Sequence, residues 1–349
     1  MNNLPAESQD SGQPDLSILI VNWNSASFLR KCLASIYTNT KAVEFEVIVI
    51  DNASYDGCGE MLRAEFPTAR FIQNEENLGF ARANNVAFQH SRGRHVLFLN
   101  PDTEVVGAAI EKILRFIDCT PDAGIVGCKL LNSDLTLQTS CIQAFPTILN
   151  QVLDAEVLRR MFPRSRLWGM RALFDDSSEI AEVEAVSGAC LLIRRAVFDS
   201  AGGFNTNYFM YSEDVDLCYQ SRRAGWKNYF LGDAVVIHHG GGSTAANAAN
   251  HSAAVVYHES KHKFFRMHRG AYYAAAYRTA MFAAAIVRLI ALGTAVLLAA
   301  GAYRREALSQ SAAKWRRILR WAMGREARAR GLGESAGNQG KERLSSRQA

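Results

Sequence analysis

Between residues 16 and 102 the chain repeats one pattern: a short apolar run rich in β-branched residues stops at Asn or Asp, and apolar residues at helical spacing follow. LSILIV (16–21) is closed by Asn22, Trp23, Asn24 and Ser25, and residues 28–37 carry the spacing of a helix. EVIVI (46–50) ends in Asp51, Asn52 and a turn-rich stretch to Gly57, before a second helix over 58–65. A third strand (69–73), a turn (74–79), a helix (80–89) and the strand HVLFL (95–99) complete the series, which Asn100, Pro101 and Asp102 stop. Such alternation predicts an α/β fold with a doubly wound, mostly parallel sheet, Rossmann-like, whose ligands bind beyond the carboxyl ends of the strands. Asp51 and Asp102 fall at two such ends.

Neither G-x-G-x-x-G after the first strand nor G-x-x-x-x-G-K-[ST] occurs anywhere, so the sequence has no glycine cradle for phosphates. A bound diphosphate then needs another counter-charge, and a divalent ion on hard oxygen ligands, Asp102 among them, is the natural candidate. The net charge of +5 sits in the tail: from Tyr303 onward there are 12 Lys/Arg against 4 Asp/Glu, which leaves residues 1–302 at −3. The body therefore has no polycationic footprint for nucleic acid. Seven cysteines stand singly, without a C-x-x-C pair, as expected of reduced core thiols.

The second half is less regular. A strand is expected over 124–131 and a helical segment from Pro146 to about Met161; the Arg/Trp-rich residues 159–171 show no usable periodicity. Residues 183–193 read as one strand containing Ser187, Gly188 and Ala189, and a short helix covers 194–201. After the aromatic loop 204–211, Ser212 is placed as the N-cap of a helix to about Ala224, with Glu213, Asp214 and Asp216 in its first turn. Those acids fit either a helix dipole or a site; Asp214 shares a face with Leu217 and Cys218, so it is the one expected to line a cleft. A last strand, 234–237, delivers His238 and His239 to the glycine run 240–242. At a strand end before such a loop His238 is well placed as a metal ligand, whereas His239 reads better as structural.

Taken together and in order, SILIVNWNSASFLRKCLASI, VIVIDNASYDG, ENLGFARANN, FLNPD, VSGACLLIRRAVFDSAGGFNTNYFMYSEDVDLCYQSRRAGW and VVIHHGGGST resemble family 2 glycosyltransferases of the bacterial rhamnosyltransferase-like branch, over residues 16–268. The resemblance implies the GT-A fold and an inverting, metal-dependent transfer of a sugar. The best expectation is L-rhamnose from dTDP-rhamnose, with a UDP-sugar such as UDP-galactofuranose or UDP-GlcNAc as alternative donor. It implies that Asn22, Asp51, Asn77, Gly79 and Arg82 lie along the nucleotide cleft. Asp102 and His238 would hold Mg2+ or Mn2+, and Asp214 would be the catalytic base. Asn205, Ala87 and Leu135 depart from the family pattern, the last two in ways that bear on loop geometry. Of the competing classes, a nucleotidyltransferase would need a glycine-rich, Arg/Lys-bearing loop at 22–27, where there is none; a non-catalytic sugar-binding protein would tolerate loss of Asp102 and Asp214.

The expected organisation is a disordered leader (1–14), a nucleotide-sugar-binding half (15–118), an acceptor-binding and catalytic half (119–268), a helical hydrophobic and basic segment (269–330) and a disordered tail (331–349). Residues 281–301 contain nine Leu/Ile/Val/Phe and Arg288. At about −0.3 to −0.6 kcal/mol for each apolar residue, against about +2.5 to +3.5 for a central arginine, the balance barely favours insertion. A spanning helix, an interfacial helix and a packed helix pair all fit, with the basic run 304–320 close behind. The expectation is attachment to the cytoplasmic face of the inner membrane, beside a lipid-linked glycan acceptor.

Overall fold

The computed structural model describes residues 12–54, 56–153, 156–175, 179–240, 252–298 and 302–325. The predicted tail, residues 1–11 of the predicted leader and the glycine run beyond Gly240 lie outside them. Strands β1 (Leu16–Asn22), β2 (Phe45–Asp51), β3 (Arg70–Gln73) and β4 (His95–Leu99) pair in parallel in the order β3-β2-β1-β4. Helices α1 (Ala26–Asn39), α2 (Cys58–Glu65) and α3 (Gly79–Gln89) make the crossovers. Each strand lies within one or two residues of its predicted span. The cause is local: β-branched runs such as Val47 to Ile50 are buried to within 2% of completely, so the hydrophobic effect and strand propensity act together.

Beyond Asp102 the sheet turns mixed. β5 (Thr103–Val106) and the amphipathic α4 (Ala109–Cys119) occupy a stretch for which the spacing analysis assigns no element. Then come β6 (Ala123–Leu131), β7 (Ile142–Gln143), α5 (Ile148–Val152), α6 (Glu156–Met161), β8 (Ile180–Val183), β9 (Ala185–Val186), β10 (Cys190–Arg194), α7 (Arg195–Ser200), α8 (Glu213–Arg223) and β11 (Lys227–His238). Among the described residues the main sheet runs β3-β2-β1-β4-β10-β6-β11-β5, with β8 also on β11. β10 lies antiparallel between β4 and β6, and β7 pairs with β9 in a separate two-stranded sheet.

Several expectations are corrected here. The apolar run 183–193 is not one strand: Ser187 to Ala189 leave the ladder as a turn between β9 and β10, with Asn100 N donating to Ala189 O at 3.0 Å. The helical segment from Pro146 is two short helices, capped at the first by a reciprocal Thr147/Asn150 capping box. The final strand is β11, of 12 residues rather than four. Ser212 holds the N-cap position of α8 as expected, its carbonyl accepting from Asp216 N at 2.8 Å, but at φ 72° its side chain makes no cap, and its buried hydroxyl has no partner among the described residues. Of the seven cysteines, all free, Cys119 is exposed rather than in the core.

At the C-terminus, α9 (Ser252–His268), α10 (Ala271–Leu298) and α11 (Ala302–Ala322) pack on one another. α10 is long and apolar enough to cross a membrane, with a mean hydropathy of 2.3 and little of it buried. Its inward residues Ala274, Tyr277, Met281 and Ala285 are completely or almost completely covered. Arg288, the residue that made insertion marginal, donates to Val152 O at the end of α5 (2.6 Å) and stacks over the Trp315 ring at 4.3 Å. Its charge is thus turned toward protein, not outward.

Candidate active site

The carboxyl ends of β1, β2 and β4, the end of β11 and the start of α8 converge. Asn22 and Asp51 are register partners on β1 and β2, and both are fully buried. Asn22 Nδ2 donates to Asp51 Oδ1 at 2.8 Å; Cys58 Sγ donates to the same oxygen, and Ser54 N and Gln73 Nε2 donate to Oδ2. Four donors make Asp51 the knot that fixes the loops after β1 and β2. Asn24 and Ala53, in those loops, hold left-handed backbone at φ 51° and 58°, and such strain clusters at functional sites. Asp51, Asp56 and Cys58 also lie close enough to share an ion, with ligand atoms within 4.8 Å of one another. Burial, then the Asp51 charge, pushes the Cys58 thiol far above its ordinary value, so it stays protonated as a hydrogen-bond donor.

Asn77 Oδ1 accepts from Gly79 N at 2.9 Å, an Asx turn that opens α3. Gly79 stands at φ 76°, and a Cβ there would lie 2.7 Å from Phe209 O, so this turn presses on the aromatic loop that leads into α8. Arg82, one turn along α3, is exposed and has no ion pair among the described residues. A second tie between the halves is Asn85, whose amide exchanges two bonds with the backbone of Phe204 (2.8 and 2.9 Å).

Asp102 and His238 are brought together because β5 pairs antiparallel with β11, which sets Thr103 opposite His238. His238 Nε2 lies 3.3 Å from Asp102 Oδ1 and 3.2 Å from Asn100 Nδ2. Gln138 Nε2 donates to Asn132 Oδ1, which turns Gln138 Oε1 toward His238 Nδ1 at 2.8 Å. That bond assigns the proton to Nδ1 and leaves the Nε2 lone pair facing the carboxylate. An octahedral divalent ion holds adjacent ligands about 3 Å apart, so this nitrogen and oxygen, with the far imidazole nitrogen anchored, fit Mg2+ or Mn2+. His239 is engaged structurally, between Glu104 Oε1 and Ser133 Oγ at 2.8 Å each.

Asp214 is the half-buried acid of α8; Glu213 and Asp216, its neighbours, are buried. Its Oδ2 accepts from Gly188 N (2.9 Å) and its Oδ1 from Val215 N (2.8 Å). Gly188 belongs to the turn after β9 whose next residue, Ala189, holds Asn100, so one backbone segment links Asp214 to the Asp102 and His238 end. Burial, reinforced by the Asp214 charge, raises the Glu213 carboxyl to about 8, so it carries its proton at neutral pH. Asp216 binds Tyr208, Gln220 and His268. Tyr211 and Ser212, just before α8, are again left-handed, at φ 69° and 72°.

Position at element ends points to Asp51, Asp102, Asp214 and His238, and the family resemblance adds Asn22, Asn77, Gly79 and Arg82. The structure sets Asn22 against Asp51, Asp102 against His238, and Asp214 one turn of chain from them; Arg82 stays on the rim of α3. Gln138, Asn100 and His268 were missed. Of these only Asn100, inside the FLNPD motif, carried a signal.

A doubly wound sheet with carboxylates gathered at its strand ends and an acid at a helix start is a frame common to enzymes that bind their substrates beyond the carboxyl ends of the strands. The family described as "Glycosyltransferase like family 2" matches residues 14–324, and the chain belongs to it; the protein is a glycosyltransferase. It is 30% identical over 236 residues, 64% of this chain and 75% of the relative, to N-acetylglucosaminyl-diphospho-decaprenol L-rhamnosyltransferase of Mycobacterium tuberculosis. It is 21% identical to rhamnosyltransferase WbbL of Escherichia coli, over 63% of this chain and 82% of the relative. The solved mannosyltransferase of Pyrobaculum calidifontis, in complex with GDP-Man and Mn2+, shares the fold at a TM-score of 0.51 and 18% identity, covering 89% of this chain and 84% of that one.

Proposed function

We propose that the protein transfers L-rhamnose, with inversion, from dTDP-rhamnose to the sugar of a polyprenyl-diphosphate-linked acceptor at the cytoplasmic face of the inner membrane, in cell-surface polysaccharide synthesis. The observation that carries the reading is the pairing of a half-buried carboxylate, oriented by two backbone N–H groups, with a separate His–Asp pair suited to a divalent ion. The rhamnosyltransferase relatives supply the sugar, and the lipid-linked acceptor follows the name of one of them.

The chemistry follows from the groups. A sugar hydroxyl has a pKa far above 7, so it attacks the anomeric carbon only as a base takes its proton. Asp214 fills that role at a fixed position, a contribution of about 10²- to 10⁴-fold. Glu213, protonated beside it, does not compete for the proton. Asn77, Gly79 and Arg82 lie along the nucleotide end, and the buried Asn22 and Asp51 act there through the loops they order. Asp102 and His238 would hold Mg2+ or Mn2+, which when bound would supply electrostatic stabilisation for the departing diphosphate. One base, with no second carboxylate placed as nucleophile among the described residues, gives a single displacement and inversion.

The test is incubation with dTDP-rhamnose, UDP-galactofuranose or UDP-GlcNAc, each with Mg2+ or Mn2+ and a short-chain GlcNAc-diphospho-polyprenol. Metal-dependent release of dTDP with an inverted linkage, lost in Asp214→Asn, is expected. Retention of anomeric configuration, or use of a UDP-sugar alone, overturns the reading.

A further inference from the structure

Residues 148–171, of which 159–171 show no usable periodicity, put four large apolar side chains outside: Leu149, Val157, Met161 and Phe162 are 57–65% exposed. Val157 and Met161 are four apart on α6 and share one side of it. No acid occurs from Val157 to Phe174, whereas five arginines do. Arg164, Arg166 and Arg171 are exposed and make no ion pair among the described residues. A soluble surface would not gather bare apolar side chains and unpaired arginines in one place without something to cover them.

The neighbouring element says what does. α5 is held on α10 at two points: Ile148 N donates to Tyr273 OH (3.3 Å), and Arg288 donates to Val152 O (2.6 Å). The chain leaves α5 at the level of Arg288 and enters α6 four residues later, a reach of at most about 14 Å. At that same level α10 becomes apolar on its outer side, with Ile286, Val287, Ile290, Leu297 and Leu298 all exposed. α11 returns antiparallel along α10, with Trp321 beside Arg278 and Trp315 beside Arg288, and brings the exposed Arg305 and Glu306 back toward Leu298, so this outward part suits the surface of a bilayer and not its hydrocarbon core.

We infer that α6 and the arginines after it form one docking face with the outer end of α10, fitted to an anionic phospholipid bilayer. In this arrangement the outer side of α10 lies along the headgroup boundary, Val157, Met161 and Phe162 seat beside it, and Arg164, Arg166 and Arg171 contact lipid phosphates. The inference deepens the membrane part of the proposed function by naming a second contact element and its lipid chemistry. It rests on that reading only for its biological purpose.

The test is co-sedimentation of the full chain, without substrate, with vesicles of phosphatidylcholine alone or with 30% phosphatidylglycerol. R164E/R166E/R171E should bind the mixed vesicles at least about 10-fold more weakly at low salt, while its binding to phosphatidylcholine stays as in wild type. V157S/M161S/F162S should weaken binding to both kinds of vesicle. Neither set touches the catalytic groups, so donor hydrolysis by both should match wild type, which reports folding and separates failure of this inference from failure of the glycosyl-transfer reading. Wild-type affinity of the arginine variant for mixed vesicles would overturn the proposal. So would a lipid-free dimer of the wild type that either set dissociates, since the face would then belong to a second copy.

Discussion

The two adjacent acids at the start of α8 differ in environment more than in chemistry. Asp214 meets two backbone N–H groups at the edge of the cleft, while Glu213 is buried and held at about 8 by desolvation and by the Asp214 charge. Asp214→Asn should therefore lower kcat at least about 10²-fold with little change in the donor KM, measured as release of nucleoside diphosphate. Glu213→Gln replaces a group already neutral at pH 7 with a neutral isostere, and should keep kcat within a few-fold. The same group sets a pH dependence of stability. Its proton is held more tightly in the folded chain than in the unfolded one, where the ordinary value is 4.5. The stabilisation is complete below about 4.5 and is lost as pH rises toward and through 8. Thermal melts from pH 4.5 to 9 should show this decline in wild type and a flatter profile in Glu213→Gln; equal slopes would remove Glu213 as its source.

At the scale of elements, α8 is pinned from behind. Asp216 is fully buried and bonded to Tyr208, Gln220 and His268, the last at the end of α9 with its ring between Tyr219 and Phe264 at 4.6 and 4.7 Å. Removing one partner of a buried hydrogen bond leaves the other without it, at a cost of about 1–3 kcal/mol. His268→Ala should lower stability by that order in denaturant titrations, and Asp216→Asn in the same background should recover part of it. This contact also marks where the sequence stops being legible. β1 to β4 and α1 to α3 could be placed because each βα unit is stabilised by its own neighbours, and its apolar pattern is local. The run from Val183 to Ile193 misleads because it is apolar throughout; only the pairing of β10 with β4, some 90 residues earlier, breaks it at Ser187. β5 is four residues long and gains its stability from β11, so it leaves almost no signal of its own. The site divides in the same way. Asp51, Asp102, Asp214 and His238 stand at element ends, where position implies a role. Gln138 and His268 owe their roles to partners 100 and 52 residues away, which no local pattern encodes.

In the whole molecule the C-terminal helices are not a detachable anchor. α9 reaches the loop before α8 through Ser260 Oγ to Met210 O and Lys263 Nζ to Asn207 O. The same helix is sealed by α10 and α11, with His258 bonded to Tyr277 OH at 2.8 Å and Glu259 to Trp321 Nε1 at 2.8 Å. Deleting residues 271–349 would uncover Phe265 and strand the buried His258, so the truncated chain should aggregate or melt at least about 5 °C lower, by calorimetry, even with detergent present. A truncated chain with wild-type stability and donor hydrolysis would contradict this. The place of β10 has a further consequence, for synthesis. β4 ends at Leu99, yet its outer edge stays unpaired until β10, beginning at Cys190, has left the ribosome. At about 5–20 residues per second that delay is roughly 5–18 s, during which a short strand, apolar from Val96 to Leu99, offers its free edge to other chains. The parallel strands β1 to β4 therefore gain their last neighbour only once the chain has been made through β10, and nascent chains cut off between Leu99 and Cys190 are where chaperone demand should be greatest.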